Sequence, residues 1–216
     1  MKNIFTYDNV IKFVVAVSLT FIALNTNAAD VKGGVSVSSD NMFRGISVSN
    51  GIGYKAYGSV ESNGLFAGAS ATTVDFGDSI DADYRYDFFA GYGFEAGKVS
   101  GKVFYIDRNF NGGALEDFED VGVVLGLDGI GNVTAINGLD DADRFIEVST
   151  PLLQVVDLAY GETENQGDYI KVSKSFGELS DKLAFAVEVG YIDFTAKGGS
   201  LLEDEEKFFI SFSKEF

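Results

Sequence analysis

Histidine, cysteine and tryptophan are absent from this chain of 216 residues, and proline occurs once, at Pro151. Without histidine there are no Ser–His or Asp–His catalytic pairs and no imidazole metal ligands. Without cysteine there are no disulfides, no thiolate metal centres and no lipid-anchored terminal cysteine. Basic side chains are scarce, 16 Lys and Arg against 33 Asp and Glu, for a formal net charge of −17. Such a surface repels nucleic acid and anionic membrane faces, so no nucleic-acid partner is expected. A single proline leaves room for long uninterrupted strands, because each proline removes a ladder hydrogen bond. Beyond the first 28 residues no apolar run approaches the ~20 residues of a spanning helix. Any membrane crossing must then be made by strands of ~9–11 residues closed into a barrel, the other arrangement that pairs every backbone group in lipid.

What the chain has in quantity is 26 Gly, 20 Phe and 10 Tyr, a composition suited to strands. Lys2 and Lys12 flank an apolar run from Phe13 to Leu24, followed by Asn25-Thr26-Asn27-Ala28-Ala29. That is the layout of a secretory signal peptide over residues 1–28, with cleavage expected after Ala28 or Ala29. Residues 29–216 are then one exported domain, one charge unit more negative once Lys2, Asp8 and Lys12 are gone.

Alternation of period two runs through that domain. Val35 to Ser47 reads as a strand carrying an acid and a base at its centre, and Gly53–Ser62 with Leu65–Phe76 reads as a hairpin around Asn63-Gly64. In the next segment Tyr84, Tyr86, Phe88, Ala90, Tyr92 and Phe94 share one face, and Asp83, Arg85, Asp87, Phe89, Gly91 and Gly93 the other. In a soluble sandwich the aromatic face is core; in a membrane barrel it faces lipid and the charges face a wet lumen. Further strands are expected at Lys98–Asp107, Val121–Leu127, Asn132–Asn137, Arg144–Thr150, Val155–Glu162, Tyr169–Phe176, Leu183–Tyr191 and Lys207–Phe216, with Pro151 in a turn. The total is about twelve strands, or ten if the weak segments drop out. Tight connections alternate imperfectly with longer acidic ones, which favours an antiparallel transmembrane β-barrel over a sandwich.

The last strand places Phe208, Ile210, Phe212, Lys214 and Phe216 at alternate positions. It resembles the closing strand of bacterial outer-membrane barrels, which the barrel-assembly machinery reads; Lys214 departs from the pattern, yet near an interface its stem can lie in lipid and its ammonium in water. Ser38-Ser39-Asp40-Asn41-Met42-Phe43-Arg44-Gly45-Ile46-Ser47, with Val74-Asp75-Phe76-Gly77, Ala90-Gly91-Tyr92 and Phe212-Ser213-Lys214-Glu215-Phe216, resembles the TorF-type porin family of proteobacteria over nearly the whole exported chain, most specifically at Phe43–Ser47. The resemblance implies an outer-membrane barrel more firmly than an activity.

The expected function is a porin-like channel for small solutes in the bacterial outer membrane, reached through the periplasm, with outer-membrane lipid and lipopolysaccharide around it. Arg44, Lys55, Asp83, Arg85, Asp87, Lys102, Lys171 and Glu188 are the candidate pore-lining charges, which would polarise the pore. No enzymatic activity and no cofactor or metal is expected: the acidic runs 116–120, 140–143 and 203–206 lack an EF-hand's spacing and glycine and read as solvated loops. The alternatives are a non-conducting structural or adhesive barrel presenting acidic outer loops, and a secreted soluble β-sandwich that binds a ligand.

Overall fold

The computed structural model describes residues 29–49, 51–75, 82–111, 116–139, 142–153, 155–177, 185–200 and 202–216. The expected leader at residues 1–28 lies outside the described residues. Twelve antiparallel strands close into a barrel: β1 (Asp30–Ser38), β4 (Gly53–Ser62), β5 (Leu65–Thr73), β6 (Tyr84–Ala96), β7 (Val99–Phe110), β8 (Phe118–Leu127), β9 (Gly131–Gly138), β10 (Phe145–Leu152), β11 (Val156–Thr163), β12 (Gly167–Phe176), β13 (Ala186–Ala196) and β14 (Glu205–Glu215). Two short strands, β2 (Met42–Phe43) and β3 (Ile46–Ser47), pair only with each other. Every barrel strand pairs with its neighbours in sequence, and β14 closes on β1 with Val37 opposite Phe212. Closure leaves no sheet edge, so the ladder satisfies backbone polar groups without water.

The even number of strands puts the start of β1 and the end of β14 at one end. Tight turns sit there, as at Asn63-Gly64, where φ of 52° and 81° makes the type I′ geometry that matches strand twist. Pro151 is not in a turn: it is the penultimate residue of β10, opposite Asp157, and the chain turns at Leu153 with φ 52°. Near a strand end its missing N–H costs little of the ladder.

The register decides which face of the alternation is inside. On β6, Phe88, Tyr92 and Phe94 remain 44–45% exposed, while Arg85 and Asp87 are each 7% exposed. The outward row continues through Leu65, Val103, Tyr105, Val121, Ile146, Ile170 and Phe208, all exposed. The apolar face is on the outside of the wall and the charged face within, the reverse of a soluble sandwich. Lys214 is outward too, half-buried, its ammonium 5.7 Å from the Phe185 ring. At the end away from the start of β1 and the end of β14 the outward rows become acidic. Three carboxylate pairs stand directly opposite each other across strands: Asp107 and Glu119, Glu162 and Asp168, Asp193 and Glu206.

Inside, aromatic rings lie over glycines of the neighbouring strand. Tyr57 covers Gly34, Phe89 covers Gly68, Phe66 covers Gly91, Phe104 covers Gly122, Tyr169 covers Gly161 and Phe209 covers Gly190, each pair being direct register partners. A Cβ on any of these glycines would run into the ring. Rings held flat against the wall bury apolar surface without crossing the lumen, and this pairing recurs around the barrel.

Candidate functional site in the barrel lumen

The segment expected to continue as a strand past Ser38 instead leaves the wall and folds into the lumen as the β2–β3 hairpin. The cause is local: Arg44 and Gly45 take φ of 51° and 89°, a two-residue I′ turn that a ladder strand cannot hold. Its base is tied by Asn41, whose Nδ2 donates to the Thr73 carbonyl at 2.8 Å and whose N–H donates to Ser49 Oγ at 2.7 Å. Its far side reaches β14, where the Ser47 N–H donates to Glu205 Oε2 at 3.1 Å. Met42 and Ile46 pack on a buried cluster of Phe145, Tyr169, Ile192 and Phe194, and a Cβ at Gly45 would strike the Tyr169 ring. The hairpin thus spans the lumen from β6 to β14 in the half of the barrel remote from the start of β1 and the end of β14.

At the hairpin tip lies an ionic cluster. Arg44 Nη2 is 2.8 Å from Asp120 Oδ2, which also takes Arg108 Nε at 2.8 Å. Arg108 Nη1 reaches Asp87 Oδ2 at 3.3 Å, and Arg85 Nε lies 3.0 Å from Asp87 Oδ1. The Phe43 ring is the common floor, with the guanidinium carbons of Arg85, Arg44 and Arg108 at 4.5, 5.0 and 5.0 Å from its centroid. Phe118 lies 6.0 and 5.7 Å from Arg44 and Arg108. Planar guanidiniums suit this setting because they stack on rings while their edges serve carboxylates. All five charged side chains are at least nine-tenths buried, and the cluster holds three cations against two anions.

Of the eight expected lining charges, Lys55, Arg85, Asp87, Lys102, Lys171 and Glu188 project inward from barrel strands. Arg44 is in the lumen on the hairpin rather than on the wall. Asp83 is not among them: β6 begins at Tyr84, and Asp83 is exposed in the preceding connection, its N–H donating to Asn111 Oδ1 at 2.9 Å. Lys171 and Glu188 form a separate inward pair at 3.6 Å, away from the hairpin. Arg108 and Asp120 were not singled out from sequence. Arg108 shares the parity of Lys102 on β7, which was the available signal. Asp120, read as part of a solvated acidic run, is fully buried, because β8 begins at Phe118 and turns it inward opposite Ile106.

No nucleophile–base pair is assembled in this cluster, and among the described residues no group of three or more acidic side chains is placed to hold a metal ion. The arrangement can hold a hairpin across a lumen and present charge to whatever passes or docks beside it. The chain matches no protein-family model and no curated protein.

Proposed function

We propose that the protein is an outer-membrane, porin-like conduit for small solutes, narrowed by the β2–β3 hairpin. One observation carries the reading: a closed twelve-strand barrel with an apolar outer wall and an ion-lined interior. An outer wall bearing Phe208 at 81% and Leu65 at 64% exposure needs an apolar surround, which lipid supplies. Inside, Lys171 and Glu188 are about one-third exposed, and Lys55 and Lys102 are exposed although both point into the lumen. Between β14 and β1 the inward row includes Ser36, Ser38, Ser211 and Ser213, all small side chains. The resemblance to TorF-type porins supports the same assignment, and its most specific residues, Phe43–Ser47, form the hairpin itself. In this reading lipopolysaccharide surrounds the acidic end and the assembly machinery engages β14.

A second reading, a closed barrel with a structural role, is favoured by the near-complete burial of the Arg44–Asp120 cluster. Planar-bilayer recording separates the two. Reproducible conductance steps from purified, heat-modifiable barrel support the conduit; silence from folded and inserted protein leaves the closed barrel. Recovery of the protein from soluble periplasmic or secreted fractions would remove both.

A further inference from the structure

The whole chain is strongly acidic, so its net charge alone suggests a preference for cations. At the hairpin, the narrowest part of the proposed conduit, the local distribution of charge points the other way. The opposed carboxylate pairs Asp107/Glu119, Glu162/Asp168 and Asp193/Glu206 lie on the outer face of the wall, not in the lumen. Several inward carboxylates are already engaged: Glu61 with Lys32 at 3.1 Å, Glu205 with Lys207 at 3.2 Å, Glu188 with Lys171, and Glu147 with the Tyr169 hydroxyl.

Over the whole inward face carboxylates still outnumber cations, because Asp30, Glu95, Asp157 and Glu215 also turn inward near the mouth where β14 ends, but at the hairpin tip the local excess is positive. Lys55 on β4, Thr72 on β5 and Arg85 on β6 are successive register partners, so Lys55 and Arg85 stand at one level of the wall with only a threonine between them. Among the described residues no carboxylate forms an ion pair with Lys55, and its side chain is exposed to the lumen. With Arg44, Arg85 and Arg108 it makes four cations beside two carboxylates, Asp87 and Asp120. Buried or confined charge left uncompensated is costly, and a mobile anion is the compensating group a lumen can recruit. Lys102, also inward and without an ion pair among the described residues, lies on β7 toward the opposite mouth.

We infer that this ledge is an anion site, with Lys55 as its accessible charge, and that the conduit selects small anions, inorganic or carboxylate- and phosphate-bearing. This rests on the conduit reading and specifies the class of solute. A confined positive charge raises the local concentration of anions and lowers that of cations, and low-dielectric walls strengthen the effect.

The test is the reversal potential of single-channel current in a potassium chloride gradient, with titration of sulfate into the folded protein in detergent as a second readout. Wild-type protein should pass chloride several-fold better than potassium. Lys55→Gln should reduce that ratio and Lys55→Glu should invert it, whereas Lys197→Gln, on the outer rim, should leave it unchanged. A wild-type preference for potassium, or none, overturns the inference while the conduit stands. Silent protein that binds sulfate saturably, with binding lost in Lys55→Gln, upholds the anion site and removes the conduit. Silent protein that binds no sulfate removes both.

Discussion

Arg44 and Asp120 meet across 2.8 Å although 76 residues separate them in the chain, and their contact joins the tip of the lumen hairpin to the barrel wall. Asp120 is shared: the same Oδ2 also holds Arg108. A single buried carboxylate therefore anchors one arginine of the wall and one of the hairpin.

Removing that carboxylate leaves two buried guanidiniums short of an anion. Asp120→Asn should destabilise the folded barrel by about 3–5 kcal/mol, the range for breaking a buried ion pair from one side. Urea unfolding in lipid vesicles, followed by tyrosine fluorescence and gel mobility, measures this. A loss below about 1 kcal/mol, the worth of an exposed pair, would show that Asp120 is not the anchor.

Arg44→Ala acts differently, because Asp120 keeps Arg108. The wall should remain intact while the hairpin tip is released, so bilayer recordings should show larger and noisier conductance with unfolding stability less affected than in Asp120→Asn. Identical conductance in the two proteins would mean that the tie does not set the constriction.

The ring-over-glycine pairs make a prediction about packing. Gly122→Val drives side-chain atoms into the Phe104 ring, at about 1–3 kcal/mol as is usual for overpacking. Adding Phe104→Ala should recover part of that loss, giving a coupling energy between the two positions in a double-mutant cycle. Strict additivity would indicate that the ring does not rest on the glycine.

At the acidic end Asp193 and Glu206 face each other across β13 and β14. Like charges directly opposed are destabilising, so Asp193→Asn should stabilise the barrel by roughly 0.2–1 kcal/mol at low salt. The gain should fade at high ionic strength as screening removes the repulsion in the parent protein. A loss of stability at low salt would mean that Asp193 has a favourable partner in solution.

Lys197, just beyond β13, donates to Glu162 Oε1 at 2.6 Å, and this hydrogen bond holds its ammonium above the ordinary lysine range. A raised folded-state value means the contribution is fully present below the ordinary lysine range and is lost as pH rises through the raised value. In an NMR titration of lysine ammonium groups Lys197 should therefore deprotonate late, and Glu162→Gln should bring it back toward the exposed lysines. Early deprotonation in the parent would rule out the contact.

The strand count, the antiparallel order, the Asn63-Gly64 hairpin and the inward parity of Lys55, Arg85, Asp87, Lys102, Lys171 and Glu188 were all legible in the sequence, because a strand's side chains alternate with a period fixed by backbone geometry. Which of the two faces is inside was not legible: the row Tyr84 to Phe94 alternates equally well in a sandwich and in a barrel. Closure of β14 on β1 decided it, by leaving the aromatic row exposed and burying Arg85 and Asp87. The hairpin was missed because Val35 to Ser47 keeps strand-like residues on both sides of Arg44-Gly45, and only the left-handed turn there shows that the segment leaves the wall. Asp120 was missed because an acidic run is ordinarily solvated; its burial depends on Arg44 and Arg108, which come from distant parts of the chain. Periodicity is a local property carried by each strand alone, whereas the meeting of Arg44, Arg108 and Asp120 exists only once twelve strands close around the hairpin.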